Sequence, residues 1–165
     1  MKSNITLIGM PGCGKSTIGV ILAKVLGYQF VDSDLLIQEK EGRLLHEIIA
    51  QDGFLRFAKI EEEVNQSIQG KRQIIATGGS VIYGPKAMEH LSEISEVVYI
   101  KLPLEELKKR LGNIRKRGVL LKEGQDLDGL YLERCPLYEK YADIVIDAEN
   151  LSVEELMEMI VNRIQ

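Results

Sequence analysis

Residues 9–16 read Gly9-Met10-Pro11-Gly12-Cys13-Gly14-Lys15-Ser16 and satisfy G-x-x-x-x-G-K-[ST] at every fixed position. The flanks suit the pattern. Ile5 to Ile8 is a short β-rich run, and Ser16 to Leu26 carries Ile18, Ile21, Leu22, Val25 and Leu26 at helical spacing. Strand, glycine-rich turn and helix in that order form a cradle for phosphate. Gly9, Gly12 and Gly14 accept backbone angles closed to other residues, so the N–H groups of the Gly12-Cys13-Gly14 stretch can approach phosphate oxygens. The helix N-terminus adds unpaired N–H groups and the positive end of its dipole. Lys15 is expected to reach the β- and γ-phosphates, Ser16 to offer its hydroxyl to Mg²⁺, and Thr17 to support the α-phosphate. Cys13 holds a variable position, and its side chain reads as neutral filler.

Outward from this loop the chain keeps alternating short apolar runs with longer helical patterns. Strands are expected at Tyr28–Val31, Gln73–Ala76, Glu96–Leu102 and Asp143–Ile146. Helices are expected over Asp34–Lys40, Leu44–Ala50, Phe54–Ile68, Pro85–Leu91, Pro103–Leu111, Leu127–Tyr141 and Ser152–Ile164. Pro136 should kink or end the sixth of these, and Ser152 with Glu155 forms a capping-box pattern for the last. Such alternation predicts an α/β fold, a five-stranded parallel sheet with helices on both faces. Ligands then belong at the carboxyl ends of the strands.

Composition narrows the partners. The chain has 165 residues and a net charge of −4, with no long basic run, a poor match for nucleic acid or an acidic membrane surface. The apolar stretch near the N-terminus is far short of the roughly 18 residues of a membrane span, so no membrane partner is expected. Two cysteines, Cys13 and Cys135, imply no disulfide framework and point to a reducing, cytoplasmic setting. His46 and His90 lack partners at metal-ligand spacing.

Two further stretches carry chemistry. Asp32-Ser33-Asp34 ends the second strand. One carboxylate there can hold the hydration shell of Mg²⁺ and another can orient an attacking hydroxyl; the competing reading is that either merely caps the next helix. The basic segment around Arg110, Arg115, Lys116 and Arg117 suits a loop that closes over ATP and neutralises charge on the transferring phosphoryl group, with Arg117 the chosen residue.

The phosphate loop, Asp32-Ser33-Asp34, Ala76-Thr77-Gly78-Gly79, the basic segment, and Glu133-Arg134-Cys135-Pro136-Leu137-Tyr138 followed by Ala142-Asp143 together resemble the shikimate kinase family, in its order and across nearly the whole chain. The resemblance implies a single domain over 1–165 with a three-layer, nucleoside-monophosphate-kinase-like fold and strand order 2-3-1-4-5. It also implies a lid near 112–124 and an acceptor-binding helical segment near 33–62. The implied activity is ATP-dependent phosphorylation of shikimate to shikimate 3-phosphate, in aromatic amino acid biosynthesis, with ATP and Mg²⁺. On that pattern Asp34 contacts the acceptor hydroxyl and Arg134 its carboxylate. Gly78 and Gly79 line the acceptor pocket, Asp32 serves Mg²⁺, and Arg110 and Arg117 belong to the nucleotide side. A monomer is expected.

Three positions depart from the family pattern. Ala58 stands where the family places a second carboxylate-binding arginine; Arg56 is about 200° away around the helix and cannot substitute, whereas Lys59, about 100° away, has a stem long enough to reach. Ser80 replaces a third glycine and should narrow or re-polarise the pocket. Gly118 replaces a proline in the basic segment. Without an arginine at 58, Glu61 becomes a candidate to point into the pocket and accept hydrogen bonds from the acceptor. These departures leave two alternatives open: a kinase for another hydroxylated small molecule with less carboxylate recognition, or a non-catalytic nucleotide-binding regulatory protein.

Overall fold

Five short apolar runs become the strands of one sheet. The computed structural model describes residues 2–111 and 125–164. The element order is β1 (Asn4–Ile8), α1 (Lys15–Leu26), β2 (Gln29–Asp32), α2 (Ser33–Glu41), α3 (Leu45–Asp52), α4 (Phe54–Gln66), β3 (Gln73–Ala76), a 3₁₀ turn (Val81–Tyr83), α5 (Pro85–Ile94), β4 (Ser95–Lys101), α6 (Leu104–Arg110), α7 (Leu127–Tyr141), β5 (Ile144–Asp147) and α8 (Val153–Ile164). The sheet order is β2-β3-β1-β4-β5, and every pairing is parallel. The α/β expectation with order 2-3-1-4-5 therefore holds. Leu7 lies opposite Ala76 on one side and Val98 on the other, which brings the turns after β1 and β3 side by side. All residues of β1 and β3 are buried, as a sheet covered on both faces requires.

Helix ends follow local chemistry. Gly14 precedes α1 with φ 100°, a left-handed conformation that glycine adopts without steric cost. Asp32 caps α2, its side chain accepting from the N–H groups of Asp34 and Leu35. The capping role thus belongs to Asp32, leaving the Asp34 side chain for other work. At the last helix, Glu155 N–H donates to Ser152 Oγ and Ser152 N–H to Glu155 Oε1, both at 3.1 Å, the reciprocal pair that the sequence announced.

Pro136 was expected to kink or end its helix. It does not end it: α7 runs from Leu127 to Tyr141, the bounds read from the sequence, with the proline inside. The ring removes one backbone hydrogen bond, to the carbonyl of Leu132 four residues back. Leu132 is 75% exposed, so water can serve that carbonyl. Leu130, Arg134 and Tyr138, on the opposite face, are all buried and hold the helix to the sheet.

The main core surrounds the sheet. A second cluster, Ile37, Leu45, Ile48, Phe57, Ile60 and Val64, lies among α2, α3 and α4. The segment expected to bind the acceptor therefore carries its own packed centre. Arg43 ties its outer turn together, donating to Asp52 Oδ2 at 2.8 Å and Glu41 Oε1 at 2.9 Å. Among the described residues, no helix is long and apolar enough to cross a membrane.

Candidate active site

A cavity of about 500 Å³ opens at the carboxyl ends of β1, β2 and β3. Its walls come from segments far apart in sequence: Gly12, Gly14, Lys15, Ser16 and Thr17 from the phosphate loop, Asp34 from α2, Phe57 and Glu61 from α4, Gly78, Gly79 and Ser80 after β3, Arg110 from α6 and Arg134 from α7. Parallel strands with level ends explain the convergence, since each strand delivers its following loop to the same edge of the sheet.

The nucleotide end is built largely of backbone. Lys15 is buried and donates through Nζ to the carbonyls of Gly9 at 2.7 Å and Met10 at 3.0 Å. Its ammonium is thus held by the loop it serves. Ser16 Oγ stands 3.5 Å from Asp32 Oδ2. A hydroxyl and a carboxylate meeting at the mouth of the loop fit a hydrated Mg²⁺, which takes few protein ligands alongside water and phosphate oxygens. No group of three or more His, Cys, Asp or Glu side chains gathers among the described residues, so a dedicated all-protein cage is not the design there. Arg110 reaches the carbonyl of Cys13 at 3.5 Å. Cys13 is itself buried in the core, in accord with a packing role. Arg117 lies outside the described residues, as do Arg115, Lys116 and Gly118.

The acceptor end is built of side chains. Asp34 Oδ1 and Glu61 Oε2 both crowd Gly78: a Cβ on that glycine would stand 2.6 Å from the first and 2.9 Å from the second. Glycine at 78 lets both carboxyls close in, and a side chain there would have to push them aside. A Cβ on Gly79 would likewise meet Arg134 Nη1 at 2.9 Å. Burial pushes the Asp34 carboxyl up to about 6, with Asp32 pushing the same way and Lys15 opposing. Burial pushes Glu61 up to about 7; the Ser80 hydrogen bond opposes this, Asp34 adds to it, and Arg134 and Lys15 oppose it. Two carboxyls with raised affinity for protons therefore face a buried guanidinium.

Arg134 is fully buried. It stacks over the Tyr83 ring at 5.3 Å, and its Nε donates to Tyr83 Oη at 3.4 Å. Tyr83 in turn donates to Glu133 Oε2 at 3.0 Å. Tyr138, one turn beyond Arg134, donates to the carbonyl of Gly79 at 2.6 Å, which locks α7 to the glycine pair.

The structure sorts the departures from the family pattern. Ala58 is half-buried and does not line the cavity; Arg56 and Lys59 are exposed and do not line it either. The long stem of Lys59 therefore supplies no replacement cation. Ser80 re-polarises the pocket, donating to Glu61 Oε1 at 2.6 Å. Glu61 is the one buried member of Glu61-Glu62-Glu63. Phe57, Thr77, Tyr83 and Tyr138 had no site role assigned from the sequence, although Thr77 and Tyr138 stand within the quoted motifs. Helical spacing held part of the signal: Phe57 is four residues before Glu61, and Tyr138 four after Arg134. A second, smaller cleft of about 130 Å³ adjoins the phosphate loop, lined by Thr17 and Arg110 together with Ala148, Leu151, Ser152, Val153 and Leu156. Apart from the helix cap at Ser152 and Glu155, no motif marks that stretch.

Comparison with known proteins agrees with this geometry. The family model for shikimate kinase matches residues 11–165. A shikimate kinase from Thermodesulfovibrio yellowstonii is 38% identical over 161 residues, covering 96% of this chain and 92% of the relative. The solved structure of a shikimate kinase from Acinetobacter baumannii in complex with shikimate superposes with TM-score 0.89 at 32% identity, covering 99% of this chain and 93% of that one. The shikimate kinase from Aquifex aeolicus superposes with TM-score 0.84 at 30% identity, covering 98% and 95%.

Proposed function

The chain belongs to the shikimate kinase family, and we propose that Asp34 orients the acceptor hydroxyl while Lys15 and Arg117 carry the charge of the transferring phosphoryl group. The enzyme uses ATP to phosphorylate a hydroxyl of shikimate. One observation supports the residue roles above all: Lys15, Ser16 and Thr17 share a single cavity with Asp34, Glu61 and Arg134. A non-catalytic nucleotide-binding protein has no use for that second group of side chains.

Phosphoryl transfer needs little covalent help, so the protein positions the reactants and neutralises charge. In the proposed arrangement, N–H groups of Gly12, Cys13 and Gly14 cradle the phosphates, with Lys15 reaching toward the β- and γ-oxygens. Thr17 and Arg110 lead toward the smaller cleft, whose apolar walls at Ala148, Leu151 and Leu156 suit a nucleotide base. Ser16 and Asp32 would hold Mg²⁺, which would supply charge neutralisation on the phosphates. Asp34 accepts a hydrogen bond from the hydroxyl and aims its oxygen at the γ-phosphorus. Arg134, pinned by Tyr83, binds the acceptor carboxylate as a planar fork. Gly78 and Gly79 let the acceptor approach both. In this reading residues 1–165 are one kinase domain, 33–62 bind the acceptor, and the basic segment at 112–124, outside the described residues, supplies Arg117. Two free cysteines support a cytoplasmic setting, and a cavity whose described lining comes from one chain supports a monomer.

An ADP-release assay with and without shikimate tests this reading. The expected result is ADP production that depends on shikimate and saturates with it. Turnover on a polyol lacking a carboxylate, with none on shikimate, would move the acceptor assignment. Tight ATP binding without turnover on any acceptor would favour a regulatory protein.

A further inference from the structure

Glu61 keeps one oxygen in reserve. The residue is 3% exposed. Ser80 donates to Oε1 at 2.6 Å, while Oε2 is buried with no hydrogen-bond partner among the described residues. A buried carboxyl oxygen without a partner costs free energy that a ligand can restore. Its surroundings say where that ligand lies. Oε2 and Asp34 Oδ1 flank the same point in front of Gly78, so the two carboxyls converge on one edge of the acceptor space. Ala58, one turn earlier on the same face of α4, brings no charge to Glu61, and Lys59 and Arg56 are exposed. The polar groups facing Glu61 are thus Ser80, Asp34, Arg134 and Lys15, and among them Ser80 alone makes a close hydrogen bond that fixes how the carboxyl is turned.

We propose that Ser80 is a positioning residue that sets acceptor specificity: by holding Oε1, it turns Oε2 of Glu61 onto the acceptor hydroxyl adjacent to the one that Asp34 orients. The inference rests on the acceptor site described under Proposed function. The ligand chemistry is a vicinal diol, whose neighbouring hydroxyls can be divided between two converging carboxyls. A hydroxyl also suits Oε2 better than a cation or an anion. It both donates and accepts, so it satisfies a carboxyl near its midpoint of ionisation in either protonation state. The serine hydroxyl that re-polarised the pocket is then the feature that makes the pocket read a diol.

Steady-state kinetics on the full chain test this, using shikimate and an analogue with hydrogen in place of the hydroxyl next to the phosphorylated one. The wild type should prefer shikimate by at least about tenfold in kcat/KM, the scale of one hydrogen bond to a charged group. Ser80→Ala should raise the KM for shikimate about tenfold, leave the KM for ATP unchanged, and leave the KM for the analogue nearly unchanged, so that discrimination collapses. Ser80→Gly and Glu61→Gln should narrow the same preference, and their unchanged KM for ATP serves as the check on folding. Wild-type discrimination retained in Ser80→Ala, or equal losses on both acceptors, overturns the proposal while leaving the kinase reading intact. Absence of shikimate turnover in the wild type, with ATP still bound, overturns the acceptor reading and this proposal together.

Discussion

The two ends of the cavity are built from different materials. The nucleotide end is a contiguous eight-residue loop and the first turn of one helix, its ligands mostly N–H groups. The acceptor end gathers single side chains from α2, α4, the turn after β3, and α7. Backbone cannot be exchanged by substitution, and it binds any polyphosphate alike. Side chains can be exchanged one at a time: the departure at Ser80 lines the acceptor end, Ala58 lies on α4 without lining the cavity, and Gly118 lies outside the described residues. The nucleotide end therefore defines a class of reaction, and the acceptor end defines one substrate within it. Substitutions on the two sides should separate cleanly in kinetics.

The largest separation is expected at Asp34. Asp34→Asn should lower kcat about 10²- to 10⁴-fold, the range of a lost general base or orienting group, with the KM for ATP near the wild-type value. Wild-type turnover in this variant would remove the role. Lys15→Ala should break the comparison from the other side, costing about 10²- to 10³-fold in kcat and weakening ATP, while shikimate binding to the nucleotide-free enzyme persists. Isothermal titration with each ligand separates the two variants.

Legibility in the sequence followed the same division. The phosphate loop could be read from eight consecutive residues because its chemistry is local. The sheet order and helix ends were legible for a similar reason, as at Asp32 and at Ser152 with Glu155, where a cap and its partners lie within three residues. Whether Pro136 ends its helix was not legible because what tolerates it, an exposed Leu132 four residues back and buried side chains opposite, is tertiary. Asp34, Glu61 and Arg134 were named singly, on resemblance and spacing. Their convergence on Gly78 and Gly79, the bond from Ser80 to Glu61, and the support of Arg134 by Tyr83 span 17 to 55 residues and leave no local pattern. The cleft at 148–156 carried only the helix cap at Ser152 and Glu155, with no pattern that points to a ligand.

The acceptor end also leaves a mark on stability. Glu61 titrates near 4.5 when exposed and near 7 in the fold. Between those values the folded protein binds more protons than the unfolded chain, so stability falls as pH rises through that window. Asp34, raised to about 6, acts in the same direction. Glu61→Gln removes the buried ionisation. Denaturant midpoints at pH 5 and pH 8 should show a smaller loss in the variant than in the wild type, the difference being on the order of 2 kcal/mol. An equal loss in both would mean that Glu61 ionises without cost, contrary to its burial.

The smallest effect is expected at position 58, where α4 brings no cation toward the acceptor end. Ala58 lies three residues before Glu61, on the same helical face. Ala58→Arg would place a guanidinium beside both Glu61 and the acceptor space, on the side opposite the nucleotide. A second fork on the acceptor carboxylate should tighten shikimate about three- to tenfold, with the KM for ATP unchanged. The same guanidinium should compete for Glu61 Oε2, lower the carboxyl's affinity for protons and make Ser80 less important. The penalty of Ser80→Ala should then be smaller in the Ala58→Arg background than in the wild type, a coupling that a double-mutant cycle on shikimate KM measures directly. Additive penalties would mean that arginine and serine act on different parts of the acceptor. Unchanged or weaker shikimate binding would mean that Arg134, held by Tyr83, already completes carboxylate recognition, so that the acceptor end lacks no cation.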